Sequence, residues 1–204
     1  MSEYYIFGSG LFAELIKLLI IDEKKSTTNK IYFVSKAKID KKNFIQEEQF
    51  FKLKKKKINV FLGLGNIEKR GKLIKKLRSK KYQFPNFISK TSKIHSGCTL
   101  GIGNIIMPHS VILPPNNIGN FNIIGTNTSL LHHSNLSDNC LIGGGCTIGA
   151  GTKIEKNTFI GVGSTIASGS LKIGSNCFIS SGSVLLNSIP SKTKVIGNPA
   201  RKIL

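Results

Sequence analysis

From residue 86 onward the apolar positions of the chain recur every six residues. Ile88, Ile94, Leu100, Ile106, Ile112, Ile118, Ile124, Leu130, Leu136, Ile142, Ile148, Ile154, Ile160 and Ile166 form an unbroken register of Ile and Leu, and after one inserted residue Ile173 and Ile179 resume it. Two positions ahead of each stands a small or compact polar side chain, from Asn86, Ser92 and Cys98 through to Thr158 and Ser164. Such a strict repeat predicts a parallel β-coil. Three hexads close one triangular turn, and successive turns stack through parallel hydrogen bonds about 4.8 Å apart. Every aliphatic of the register is expected to point into the prism and to stack on its equivalent one coil away. The small residue should fit the crowded inside of a corner. The glycines that follow the aliphatic (Gly101, Gly119, Gly125, Gly143, Gly149, Gly161) are expected to let the chain turn.

Residues 1–84 have a different pattern, and the chain divides into two domains, 1–84 and 85–204. In the first, Tyr4–Phe7, Ile31–Val34 and Ile58–Leu62 read as strands, and Leu11–Ile20 and Asn66–Leu77 as helices. Gly8-Ser9-Gly10 falls between the first strand and the first helix, with Ala13 completing a truncated dinucleotide-binding fingerprint. Glycines there permit a tight turn, and the helix N-terminus behind them offers unpaired N–H groups to a phosphate. The acidic residue that should follow about twenty positions on, to hold a ribose, is absent; Val34-Ser35-Lys36 stands in its place. This argues against a nicotinamide dehydrogenase and for a nucleotide or nucleotide-sugar pocket. The alternative is a loop that needs glycine only for its backbone.

Composition narrows the picture further. No window approaches a membrane-spanning length of apolar residues. The opening MSEYYIFGSG, without a basic region and a long apolar run, predicts no signal peptide and a cytoplasmic chain. Cys98, Cys140, Cys146 and Cys177 form no C-x-x-C pair and occupy the small inward position of the repeat, so they read as packing residues. The net charge is +20; residues 1–84 carry 21 basic and 8 acidic side chains, residues 85–204 carry 9 and 2. That field attracts polyanions. The lysines, however, come in runs such as Lys54–Lys57, with no nucleic-acid recognition motif, and phosphorylated small ligands suit the charge equally well. Four histidines (His95, His109, His132, His133) lack the spaced cluster that a zinc enzyme on this kind of coil requires, so no metal site is expected.

The hexads, together with the closing Val195-Ile196-Gly197-Asn198-Pro199-Ala200-Arg201 segment, resemble the hexapeptide-repeat acyltransferases. With Gly8-Ser9-Gly10 and Phe61-Leu62-Gly63-Leu64-Gly65-Asn66-x-x-x-Arg70, the chain is similar to the branch holding sialic-acid O-acetyltransferases and nucleotide-sugar N-acetyltransferases. The resemblance implies a Rossmann-like α/β domain that holds a sugar nucleotide, then a left-handed parallel β-helix. It also implies a homotrimer with active sites between subunits and acetyl-CoA as co-substrate, without a metal. By the match of Ile123-Ile124-Gly125-Thr126-Asn127 to a family motif upstream of the catalytic histidine, it places His132 on the general-base position. His133 then falls where the family has a carboxylate, Leu141 where it has a histidine that contacts acetyl-CoA, Phe12 where it has a substrate-contacting histidine, and Ser35-Lys36 where it has an acidic pair. Acetyl-CoA contacts carry over to Ala150, Val162, Ser180 and Arg201, and acceptor contacts to Gly8, Ser9, Gly10, Gly65 and Asn66. The expected activity is N-acetylation of a nucleotide-linked amino sugar. Sugar O-acetylation and a catalytically weakened nucleotide-sugar binder are the alternatives.

Overall fold

A computed structural model of the chain describes residues 3–24, 30–53 and 57–203. Lys54, Lys55 and Lys56 of the lysine run lie outside the described residues. Two compact units are present, Met1–Pro85 and Asn86–Leu204.

The first unit is built on a parallel sheet. Its elements in chain order are β1 (Glu3–Phe7), α1 (Leu11–Lys24), β2 (Lys30–Ser35), β3 (Phe44–Gln46), α2 (Glu47–Phe51), β4 (Asn59–Leu62) and α3 (Ile67–Arg78). The sheet order is β3-β2-β1-β4. The three strands and two helices expected from periodicity are all present. The short pair β3 and α2 escaped it, because three strand residues and five helical ones give no period to detect. Their contribution is aromatic. Phe50, fully buried, meets Phe7 and Tyr5 of β1 edge-on at ring distances of 4.9 and 5.2 Å, and Tyr82 lies 5.2 Å away.

The second unit is a three-sided parallel β-solenoid whose sheets hold five, eight and six strands. Each two-residue strand pairs with the one a full coil on, as in Ile124↔Ile142 and Ile142↔Ile160. From Ile106 to Ile179 every aliphatic of the register is buried. A fully buried side chain of this kind contributes roughly 1.5–3 kcal/mol, so the stacked column is the main stabiliser. The expectation of uniform burial fails at the first coil. Ile88 is 43% exposed, and Ile94 and Leu100 are half-buried, because within the prism an end coil is covered on one side only.

Two features of the corners were not anticipated from the repeat. First, the small inward residues bond coil to coil. Asn104 Nδ2 donates to the Gly119 carbonyl at 2.9 Å, Ser110 Oγ to Gly125 at 2.7 Å and Thr128 Oγ1 to Gly143 at 2.8 Å. Cys146 Sγ donates to Gly161 in the same way. These side chains satisfy carbonyls that the prism would otherwise bury unpaired.

Second, the glycines after the aliphatic do not serve the turn. A Cβ on Gly125 would lie 2.4 Å from the Gly144 nitrogen, and one on Gly149 2.3 Å from the Ser168 nitrogen, while neither has a positive φ. Close approach of the next coil excludes a side chain there. The left-handed residue of the turn comes two places later and is often Asn, as at Asn127, Asn139, Asn157 and Asn176, or a histidine at His133 (φ 60°). Asn tolerates this region better than most residues.

Beyond Ile179, the strand Lys194–Ile196 continues the eight-stranded sheet and folds back antiparallel onto Arg201–Lys202, which ends the solenoid.

Candidate active site

In the first unit, β1 lies between β2 and β4, so strand order reverses at its carboxyl end. A parallel sheet opens its ligand crevice at such a point. Both glycine-rich segments meet there. The Gly8 N–H donates to the Val34 carbonyl at 3.0 Å and the Gly63 N–H to that of Phe7 at 2.8 Å. A Cβ on Gly8 would stand 2.6 Å from the Gly63 oxygen, which fixes glycine at that crossing. Gly10 and Gly65 instead face open space. Ser9 and Gly10 are exposed ahead of α1, and Asn66 caps α3, its Oδ1 accepting the Lys69 N–H at 2.9 Å. Gly8, Ser9, Gly10, Gly65 and Asn66 therefore share one edge of the sheet. Lys36, just past the end of β2, is exposed.

In the solenoid, His132 follows Leu130 by two positions, at the corner between the six-stranded and five-stranded sheets, and both His132 and His133 are exposed. The left-handed turn at His133 sets the rings at 89° to each other with Nδ1 to Nδ1 at 2.9 Å. One ring must donate and the other accept. When His132 donates, its Nε2 carries the lone pair. The backbone is held from both neighbouring coils: the His133 N–H donates to Pro115, and the His132 carbonyl accepts from Gly151. Asp138, the next carboxylate in sequence, sits at the following corner, where its Oδ1 accepts the backbone and side-chain N–H groups of Asn120 at 2.7 and 3.0 Å.

The residues expected to contact acetyl-CoA do not gather at His132 within one chain. Ala150 does, directly above it in the same corner column. Val162 (62% exposed) and Ser180 belong to a different corner, between the eight- and six-stranded sheets, and Arg201 is exposed on the terminal strand. Both main-chain groups of Ser180 are engaged, its N–H with Val195 and its carbonyl with Ser164 Oγ and the Ser183 N–H. Leu141 stands on the outer face of the eight-stranded sheet in line with Phe159 and Phe178, whose rings stack at 4.8 Å. Among the described residues no three His, Cys, Asp or Glu side chains come together as a metal-ligand set, and no helix is long and apolar enough to cross a membrane.

Residues 133–168 match the family described as bacterial transferase hexapeptide (six repeats), so the solenoid is built of that repeat. Solved structures extend the likeness to the whole chain. WeeI from Acinetobacter baumannii AYE superposes with a TM-score of 0.89 at 19% identity, covering 100% of both chains. The acetyltransferase domain of PglB from Neisseria gonorrhoeae FA1090, in complex with acetyl coenzyme A, gives 0.89 at 18%, covering 98% of both. PerB from Caulobacter crescentus, in complex with CoA and GDP-perosamine, gives 0.84 at 23%, covering 98% of this chain and 97% of that one. At these identities the shared property is the fold: a Rossmann-like unit followed by a parallel β-solenoid. No curated protein matches the sequence.

Proposed function

We propose that the chain is an acetyl-CoA-dependent N-acetyltransferase acting on a nucleotide-linked amino sugar, with His132 as general base. The observation that carries this reading is the ring-to-ring contact of His132 with His133, which, when His132 donates, leaves Nε2 of that exposed imidazole as an acceptor. The neighbours solved with acetyl coenzyme A and with CoA and GDP-perosamine support the substrate classes. The nucleotide would lie at the carboxyl edge of the sheet against Gly8, Ser9, Gly10, Gly65 and Asn66. For acetyl-CoA, the column above His132 presents the small side chain of Ala150; Val162, Ser180 and Arg201 would complete the site from a second copy of the chain. Two corners of the prism do not meet within one protomer, so the proposed site draws on more than one copy, and the family resemblance points to a homotrimer with its sites between subunits, working in the cytoplasm.

Acetyl-CoA would supply the acyl group as a thioester. His132 Nε2 takes the proton that the acceptor amine sheds as its nitrogen bonds to the carbonyl carbon. As the carbon–sulfur bond breaks, the same nitrogen returns the proton to the departing sulfur. His133 acts as the neutral acceptor that holds the required tautomer. It supplies no fixed negative charge, which suits an amine, the easier nucleophile, better than a hydroxyl.

The test follows free thiol while nucleotide-activated amino sugars are offered with acetyl-CoA. His132→Ala should lower turnover about 10²–10⁴-fold, the usual worth of a general base. Undiminished turnover removes His132 from the mechanism. Transfer to hydroxyl acceptors alone would favour O-acetylation, and binding without turnover a weakened binder.

A further inference from the structure

Except where it is proline, the second position after each aliphatic has a backbone N–H that the parallel ladder does not use. At some corners it is bonded by a short acceptor on the equivalent residue of the next coil. Ile102 donates to Asn120 Oδ1, Asn120 to Asp138 Oδ1 and Ser175 to Ser191 Oγ, all at the corner between the five- and eight-stranded sheets. The column Pro114, His132, Ala150, Ser168 runs through the His132 corner. Pro114 has no N–H, and His132 is followed by an alanine that has no acceptor. At Ala150 the bond forms, its N–H donating to Ser168 Oγ at 3.1 Å.

Ser168 lies 18 residues after Ala150, in register, and the inserted residue follows it, since Ile148 pairs with Ile166 but Ile154 with Ile173. The extra residue falls in this corner, between Ile166 and Ile173. Gly169 and Ser170 both take positive φ (133° and 58°), and both N–H groups lie 3.4 Å from the Ala150 carbonyl. Ala150 is thus held at both ends by the irregular corner.

We propose that Ser168 is a positioning residue that covers the main-chain donor next to His132 and so sets how tightly the acyl group is held. The inference rests on the acetyltransferase reading above. Successive corners in the column lie one coil apart, about 4.8 Å. The carbonyl oxygen of a thioester whose carbon is attacked beside His132 therefore falls near the Ala150 N–H, a donor suited to developing negative charge. Ser168 Oγ occupies that donor, so the acyl oxygen gains it only by displacing an existing hydrogen bond. CoA without an acyl group has no oxygen to place there and is indifferent to Ser168.

Calorimetric affinities of CoA and acetyl-CoA for the full-length protein, and for Ser168→Ala and Ser168→Thr, test the inference. Ser168 is exposed, so both variants should fold. Ser168→Ala should tighten acetyl-CoA about 3- to 10-fold, the scale of one hydrogen bond, and leave CoA unchanged. Ser168→Thr, which keeps the hydroxyl, should behave like the parent. An unchanged ratio of the two affinities in Ser168→Ala overturns the inference, as does weaker acetyl-CoA binding, which would make the hydroxyl itself the donor. Failure of all three proteins to bind either ligand overturns the acetyltransferase reading, and this inference with it.

Discussion

At the scale of single residues, the His132–His133 contact makes a specific claim about catalysis. If His133 serves as an acceptor that selects a tautomer, its removal should cost orientation rather than binding. His133→Ala is expected to lower kcat about tenfold with KM for both substrates unchanged, a fraction of what loss of the base itself would cost. Its backbone φ of 60° complicates the substitution, because a left-handed conformation costs an ordinary residue roughly 1–2 kcal/mol. His133→Asn is the matched control, since Asn tolerates that conformation and can still offer an oxygen. It should retain more turnover than His133→Ala, and equal losses in the two would count against the acceptor role. The sequence showed that two histidines are adjacent, but it could not show that their rings touch, because the contact depends on a backbone turn that most histidines do not make. The buried cysteines behave as their register implied. Burial pushes the Cys146 and Cys177 thiols above the ordinary value of 9.0. Folding therefore favours the neutral thiol: this stabilisation is complete below about pH 9 and is lost as pH rises through the raised folded values. Melting temperature should fall as pH rises above about pH 9, less steeply in Cys146→Ala than in the parent.

At the scale of elements, the hexad repeat was legible because each coil repeats the same instruction, and fourteen concordant aliphatics leave one geometry that buries them. The glycine after the aliphatic shows the limit of that reading. Glycine permits both a positive φ and a close backbone approach, and sequence cannot distinguish them; here the approach of the next coil is the cause. The two cases predict different mutants. Gly149→Ala would force a Cβ to within 2.3 Å of the Ser168 nitrogen, so it should separate adjacent coils and destabilise far beyond the roughly 1 kcal/mol of a φ penalty. Along the register, position in the stack decides the cost. Ile142, buried between Ile124 and Ile160, should lose about 2–5 kcal/mol on truncation to Ala, whereas Ile88 in the end coil should lose far less. Denaturant unfolding of Ile142→Ala and Ile88→Ala compares the two directly, and equal losses would mean that the coils do not share one core. β3 and α2 lie at the opposite extreme, too short for any period to show and held instead by the aromatic packing of Phe50.

At the scale of the whole molecule, the proposed site calls for an assembly. His132 and Ala150 stand at one corner of the prism and Val162 at another, so a reaction that uses both draws them from different protomers. The sequence placed these residues by their resemblance to the family's motifs. It gave no means of telling which corners meet, since that is a property of the interface between copies. The consequence is measurable with two inactive variants. On the proposed mechanism His132→Ala lacks the base, while Val162→Trp, at a side chain 62% exposed, would block the donor face without disturbing the core. Each variant alone should assemble and turn over slowly. If a site is built from the His132 corner of one protomer and the Val162 corner of the next, randomly mixed trimers of the two regain about a quarter of the parental sites. Co-expression or refolding of an equal mixture, followed by thiol release from acetyl-CoA, reads this directly. Recovery of activity places both halves of the site on different chains. A mixture as inactive as its components, with mixed trimers confirmed by mass, would mean that each protomer works alone.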